Sequence, residues 1–105
     1  MTNEEFLQEV KKQFMKCEGV LEKRRDLHER EDDRLAQFKK AGMTQDSSAI
    51  EALGGMMVQQ TTNLYYLIDR QYLRNEKLWD KTITHHINYL LLLKALLVEG
   101  RKSDE

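Results

Sequence analysis

Proline does not occur in this chain of 105 residues, which also has one cysteine and five glycines. β-Sandwiches and disordered linkers use proline freely at turns, so its absence favours uninterrupted helices. The lone cysteine, Cys17, cannot form a disulfide within the chain. These scarcities argue against a disulfide-stapled scaffold and a proline-rich linker, and they predict an all-α fold.

The chain also lacks an excess of either charge. Lys and Arg number 17 against 18 Asp and Glu, a formal net charge of −1, whereas a dedicated nucleic-acid or anionic-membrane binder shows a basic excess. With 40% hydrophobic residues the chain is too apolar to be disordered. Its most apolar run, residues 87–98, contains Lys94 and is shorter than the roughly 20 residues of a bilayer span.

The start of the sequence, "MTNEEFLQEV", lacks the basic and then apolar layout of a signal peptide. We therefore expect a cytoplasmic protein.

Helix-start signals occur twice. Thr2 with Glu5, and Ser48 with Glu51, have the spacing of a capping box. Gly42 and Gly100 each follow basic residues, a pattern typical of helix C-termini. We predict one domain over residues 1–105, with a helix over about 3–41, a turn at 42–48, a helix over about 49–99 and a charged tail at 100–105.

The first predicted helix has a continuous heptad seam that is apolar at both ends and polar in the middle. Its members are Leu7, Val10, Phe14, Cys17, Leu21, Arg24, His28, Glu31, Leu35 and Phe38. We predict that the charged stretch 22–34 is the middle of this helix. Arg24, His28 and Glu31 form a buried polar layer. Such a layer fixes helix register more often than it catalyses a reaction.

The second predicted helix carries an apolar stripe: Ile50, Leu53, Met57, Leu64, Ile68, Tyr72, Trp79, Ile83, Leu90 and Leu97. Folded against the first helix as a long antiparallel hairpin, it extends beyond it by about 18 Å at 1.5 Å per residue. This overhang, "INYLLLLKALLVE", is apolar on nearly every side, as in a buried helix. We predict a protein interface there, formed by Tyr89, Leu90, Leu93, Leu96 and Leu97.

Three kinds of cover fit this interface. A second copy of the chain would give a homodimer, in effect a four-helix bundle, and a different protein would give a heteromeric complex. Alternatively, a break near 75–84 lets the chain cover its own leucines as a three-helix bundle.

The ligand-type side chains do not converge in the predicted hairpin. His28 and His85 lie about 35 Å apart along its axis, with Cys17 between them, so we expect no metal site, cofactor or catalytic residue. A weaker alternative is a Mg²⁺-dependent helical nucleotide hydrolase. It would use acidic side chains at similar heights: Glu18, Glu22 and Asp69.

Tyr and Trp residues with nearby Arg residues are common anchors of protein interfaces. A nucleic-acid-associated regulator is a second alternative, but single-strand binding requires a basic groove beside the aromatic side chains. The sequence best fits a non-enzymatic interaction module: an adaptor, an assembly chaperone or a regulator of a larger complex.

Overall fold

The computed structural model describes residues 1–27, 33–70 and 75–103. Over these ranges the chain forms four α-helices and no strand, which confirms the all-α prediction. The helices are α1 (Asn3–Leu27), α2 (Ala36–Thr44), α3 (Ala49–Asp69) and α4 (Glu76–Ser103).

Polar side chains mark three of the helix starts. At α1 the Thr2 hydroxyl accepts a hydrogen bond from the Glu5 amide at 3.1 Å. At α3 Ser48 and Glu51 form a complete capping box, as the sequence predicted. At α4 the Asn75 side chain accepts from the Leu78 amide at 3.1 Å. Each of these bonds satisfies a backbone donor that the helix itself leaves free.

Helix α4 packs against two other helices. It runs parallel to α1, since Gln13 donates to the Thr84 hydroxyl at 2.8 Å and, one turn further along both helices, Asn88 donates to the Cys17 carbonyl at 3.3 Å. It runs antiparallel to α3. Leu53, near the start of α3, packs with residues near the end of α4, and Leu67, near the end of α3, lies beside the start of α4.

The hydrophobic core lies where α2 meets the α3–α4 pair. Its buried members are Leu35, Phe38, Leu53, Leu92 and Leu96, and Leu21 of α1 packs against them. Because Leu21 reaches the cluster that holds Phe38 of α2 and Leu35 just before it, α1 and α2 lie on the same side of α3 and α4. The described residues therefore form two layers, with α1 and α2 over one side of the α3–α4 pair.

The two uninterrupted helices predicted for residues 3–41 and 49–99 are wrong. Helix α1 ends at Leu27, and Asp33–Leu35 are not helical. The Asp33 side chain accepts from the Leu35 amide at 3.0 Å, and this bond replaces helical pairing immediately before α2. The long second helix is also two helices, because α3 ends at Asp69 and α4 begins at Glu76. The predicted alternative of a break near 75–84 is closer to the structure.

An ion-pair network joins the start of α2 to the end of α4. The Lys39 ammonium bonds the Asp33 carboxylate and also lies 2.5 Å from Glu99 Oε1. The hydrogen bond from Lys39, and then the Leu35 amide, hold the pKa of Asp33 below its ordinary value. The same two carboxylates raise the pKa of Lys39 above its ordinary value.

A Lys39→Met variant tests this network through its pH dependence. A carboxyl with a lowered pKa stabilises the folded state above its unfolded pKa, and that contribution is lost as the pH falls through the folded pKa. We expect the variant to have a lower urea midpoint than the parent at pH 7, and the difference to shrink at acid pH, as the pH falls through the lowered pKa of Asp33. A difference of the same size at both pH values would contradict the electrostatic origin.

Candidate protein-binding face

Helix α4 has three sides with different surroundings. Thr84 and Asn88 bond α1 on one side, and Leu92 and Leu96 enter the core on the second. The third side carries apolar side chains at helical spacing that neither α1 nor the core buries: Trp79, Ile83, Leu90 and Leu97. Three apolar residues seven positions apart form a stripe along a helix, so this side of α4 resembles the seam of a helix bundle.

Helix α3 repeats this pattern. Leu53 and Leu67 are buried towards α4, and Ala52, which is also buried, lies about 100° from Leu53 around the helix. The opposite flank carries Ile50, Met57, Leu64 and Ile68, none of which is buried. These residues are again seven and then four positions apart, which places them on one stripe.

Both stripes lie on the same side of the α3–α4 pair, because each lies on the flank away from the layer of α1 and α2. Together they make an apolar surface that we call the α3–α4 face: Ile50, Met57, Leu64, Ile68, Trp79, Ile83, Leu90 and Leu97. Four of its members, Ile50, Ile68, Leu90 and Leu97, are 40–48% exposed. The other four are half-buried, and one of them, Met57, also packs against the hydrophobic core.

The five predicted interface residues divide between the core and the surface. Leu96 is buried in the chain's own core, and Tyr89 and Leu93 pack against that core while half-buried. Assigning Leu96 to an interface is therefore corrected: α4 is covered by α2 and α3 at this point and does not overhang. Leu90 and Leu97 remain on the surface.

Sequence reasoning missed the α3 half of the face as part of a binding surface. The seven-residue spacing of these α3 residues was visible in the sequence. Because residues 49–99 were predicted to form one uninterrupted helix, this stripe was assigned to packing against the first predicted helix. The predicted polar layer is a different case. Arg24 lies in α1, but its side chain, together with His28 and Glu31, lies outside the described part of the chain.

A second exposed apolar surface lies on the N-terminal half of α1, which contacts α4 along one side only. Leu7 and Phe14 of the predicted seam are exposed there, as are Phe6 and Met15. The seam becomes buried only at Cys17, where α1 packs against Thr84 and Asn88. The core-facing part of α1 is thus limited to its second half.

An open groove of about 350 Å³ runs between α1 and α4. Gly19 and Val20 form part of its wall, and the lysines at 16, 23 and 81 lie along it. Lys16 and Asp80 bond each other at 2.8 Å, so two of its charged groups already satisfy one another. Ligand pockets place a few polar groups around one point. The charged groups of this groove are instead spread along its length, so it resembles an open surface groove and not a ligand pocket.

The acidic cluster of the magnesium alternative does not assemble. Glu18 and Glu22 lie on α1 and Asp69 ends α3, and in the described structure α1 packs against α4 and not against α3. The hairpin geometry that placed these three at one height is the part of the prediction that fails. Within the described ranges no three His, Cys, Asp or Glu side chains converge closely enough to hold a metal ion.

None of the helices in the described ranges combines the length and the apolar character needed to cross a bilayer.

Comparison with known proteins gives no relative for this chain. No protein-family model matches it, and neither the curated proteins nor the solved structures contain a significant match.

Proposed function

We propose that the chain is a non-enzymatic protein–protein interaction module that binds through the α3–α4 face. The observation that carries the proposal is that α3 and α4 are apolar on two sides, while α1 and α2 cover one of them. A helical layer that is apolar on both sides occurs in the interior of a larger assembly. The function that fits is binding, in the role of an adaptor, an assembly chaperone or a regulator.

Four members of the face leave much of their side-chain surface in solvent: Ile50, Ile68, Leu90 and Leu97. Complete burial of a Leu or Ile side chain contributes about 1.5–3 kcal/mol, so the exposed fractions of these four represent roughly 3–5 kcal/mol. That is comparable to the lower part of the range of about 5–15 kcal/mol for the stability of a whole domain. A partner that covers the face would gain this free energy without any rearrangement of the core.

The surface composition supports a protein partner. The near-neutral net charge does not favour nucleic acid, and the face itself contains aliphatic side chains and one tryptophan. Interfaces between proteins are depleted in charged side chains at their centre and enriched in aromatic ones. Trp79, at one end of the face, is of the residue type most often found among interface anchors.

Site-specific photocrosslinking tests the proposal. We expect a photoreactive phenylalanine derivative at Leu90 to give covalent protein adducts in the native cells, because this position is exposed at the centre of the face. The same group at Lys77, an exposed position in the first turn of α4, serves as the control and is expected to give few adducts. Absence of any protein adduct at Leu90, or equal labelling at both positions, would overturn the proposed function.

A further inference from the structure

We infer that the occupant of the α3–α4 face is a second copy of this chain, with α4 of each copy lying over α3 of the other. The product is a four-helix bundle flanked on both outer sides by α1 and α2. The inference rests on the proposed function, since it names the partner for the same face. Four properties of the face support it: its register, its area, its charge and its central polar layer.

The register of the α3–α4 pair makes the face self-complementary. Leu53 packs with Leu92 and Leu96, and Leu67 lies beside Leu78 and Thr82, which fixes the heights of the two antiparallel helices. At this register the face residues form pairs of equal height: Ile50 with Leu97, Met57 with Leu90, Leu64 with Ile83, and Ile68 with Trp79. A two-fold axis parallel to the helices preserves height, so every apolar pair meets an apolar pair of the second copy.

The area of the face is sufficient for a dimer. Each stripe extends for about 27 Å at 1.5 Å per residue, and two neighbouring helices are together about 20 Å wide. The face therefore measures roughly 540 Å² per copy, and roughly 1,100 Å² would be buried in total, where a specific interface needs about 1,000 Å².

The net charges of the two helices favour a dimer in which α4 of one copy lies over α3 of the other. They disfavour a dimer in which each helix lies over its own counterpart. Helix α3 has two acidic residues and no basic one, a net charge of −2. Helix α4 has five basic and three acidic residues, so 5 − 3 gives +2. Opposite potentials across an interface favour the arrangement that brings them together. A dimer with α3 over α3 and α4 over α4 would place like net charges side by side.

A polar layer interrupts the apolar pairs at the centre of the face. Thr61 of α3 and His86 of α4 have equal height, between the Met57–Leu90 and Leu64–Ile83 pairs. His86 Nδ1 is buried with no hydrogen-bond partner in the described structure. One polar layer among apolar ones fixes the register and the number of helices in a bundle. In the dimer, Thr61 of the second copy lies at the height of His86, so these two residue types form one polar layer between the apolar pairs.

Analytical ultracentrifugation of the purified full chain tests the dimer. We expect twice the 12.5 kDa of one chain at micromolar concentration. A Leu90→Ser variant should raise the dimer dissociation constant at least tenfold, because the substitution occurs twice in a symmetric interface. Leu91→Ser is the matched control: Leu91 is 41% exposed but points about 100° away around α4, so its dimer should dissociate like the parent. Far-UV circular dichroism checks that both variants remain helical.

The outcomes separate the inference from the proposed function. If the parent chain stays at 12.5 kDa and its Leu90 adducts contain a different protein, the inferred homodimer is overturned and the proposed interaction module stands. A monomer that also forms no adduct would overturn both. Equal weakening by Leu90→Ser and Leu91→Ser would overturn the assignment of the dimer to this face.

The arrangement of helices is tested by crosslinking two single-cysteine variants in a Cys17→Ala background. A chain with Leu97→Cys mixed with a chain with Ile50→Cys should be joined by a short bismaleimide, because these positions lie together when α4 covers α3 of the other copy. The like-over-like dimer reverses the heights and would instead join Ile50→Cys to Ile68→Cys. The second result would overturn the arrangement proposed here.

Discussion

Truncation of Phe38 to alanine is expected to lower the free energy of unfolding by about 3–5 kcal/mol. Among the described residues Phe38 is the largest fully buried side chain, 1% exposed, and it lies in the cluster where α2 meets α3 and α4. The loss combines the apolar surface no longer buried with the cavity that α2 and its neighbours leave behind. Since a domain of this size is stable by roughly 5–15 kcal/mol, the variant should lose much of its stability.

Phe14→Ala is the matched control, because Phe14 has the same side chain but is 51% exposed on α1. We expect a clearly smaller loss, within about 1 kcal/mol, as for most surface substitutions away from special features. Both variants can be compared with the parent by urea unfolding at one protein concentration, followed by far-UV circular dichroism. Equal losses at the two positions would contradict the assignment of α2 to the core and of the first half of α1 to the surface.

The sequence predicted the helix starts well because capping is local. Thr2 and Ser48 lie next to the donors that they satisfy, so their effect does not depend on how the helices pack. Asn75 caps α4 by a single bond, which is harder to distinguish in a sequence from an ordinary exposed asparagine. The prediction was thus sound where a hydroxyl and a carboxylate have capping-box spacing, and it missed the start that a lone asparagine marks.

The break between α3 and α4 was predicted only as an alternative, near 75–84, because a seven-residue pattern does not report chain direction. Ile68 and Trp79 continue the stripe of one imagined helix, yet they are paired residues on two antiparallel helices. A chain that turns back while keeping one face apolar preserves such spacing, so the pattern cannot reveal the turn. The break is determined by contacts between residues far apart in the sequence. Helix α4 can bury Leu92 and Leu96 against α2 and α3 only if the chain reverses direction after α3.

The same non-local burial explains which part of the candidate site was predicted. The excess of apolar surface on the C-terminal helix was visible in composition, and Leu90 and Leu97, which the sequence assigned to a protein interface, lie on the surface. The physical cause was wrong, since no overhang exists and the excess lies on an outer face shared with α3. Leu96, one position before Leu97, points about 100° away and is buried, and only the fold separates the two.

Gly42 is a position where the rule that glycine ends a helix gives the wrong expectation. The sequence places it after a helix, as a terminating glycine, whereas the structure places it inside α2, where it is buried. The chain turns directly over it, and Ser47 donates its amide to the Gly42 carbonyl at 2.7 Å. A Cβ atom here would lie 2.8 Å from the Ser47 and Ser48 carbonyl oxygens. These are backbone atoms, so no rotation of a side chain relieves the contact.

Helix propensity alone predicts that Gly42→Ala stabilises the protein by about 1 kcal/mol. We expect the opposite sign, a loss of about 1–3 kcal/mol, because overpacking forces the turn between α2 and α3 away from its position. Gly55→Ala is the control, since a Cβ at Gly55 of α3 meets nothing within 4 Å and should give the ordinary gain. Urea unfolding of the two variants distinguishes helix propensity from overpacking. A gain in stability at both positions would mean that the 45–48 turn does not press on Gly42 and that the chain follows a different path from α2 into α3.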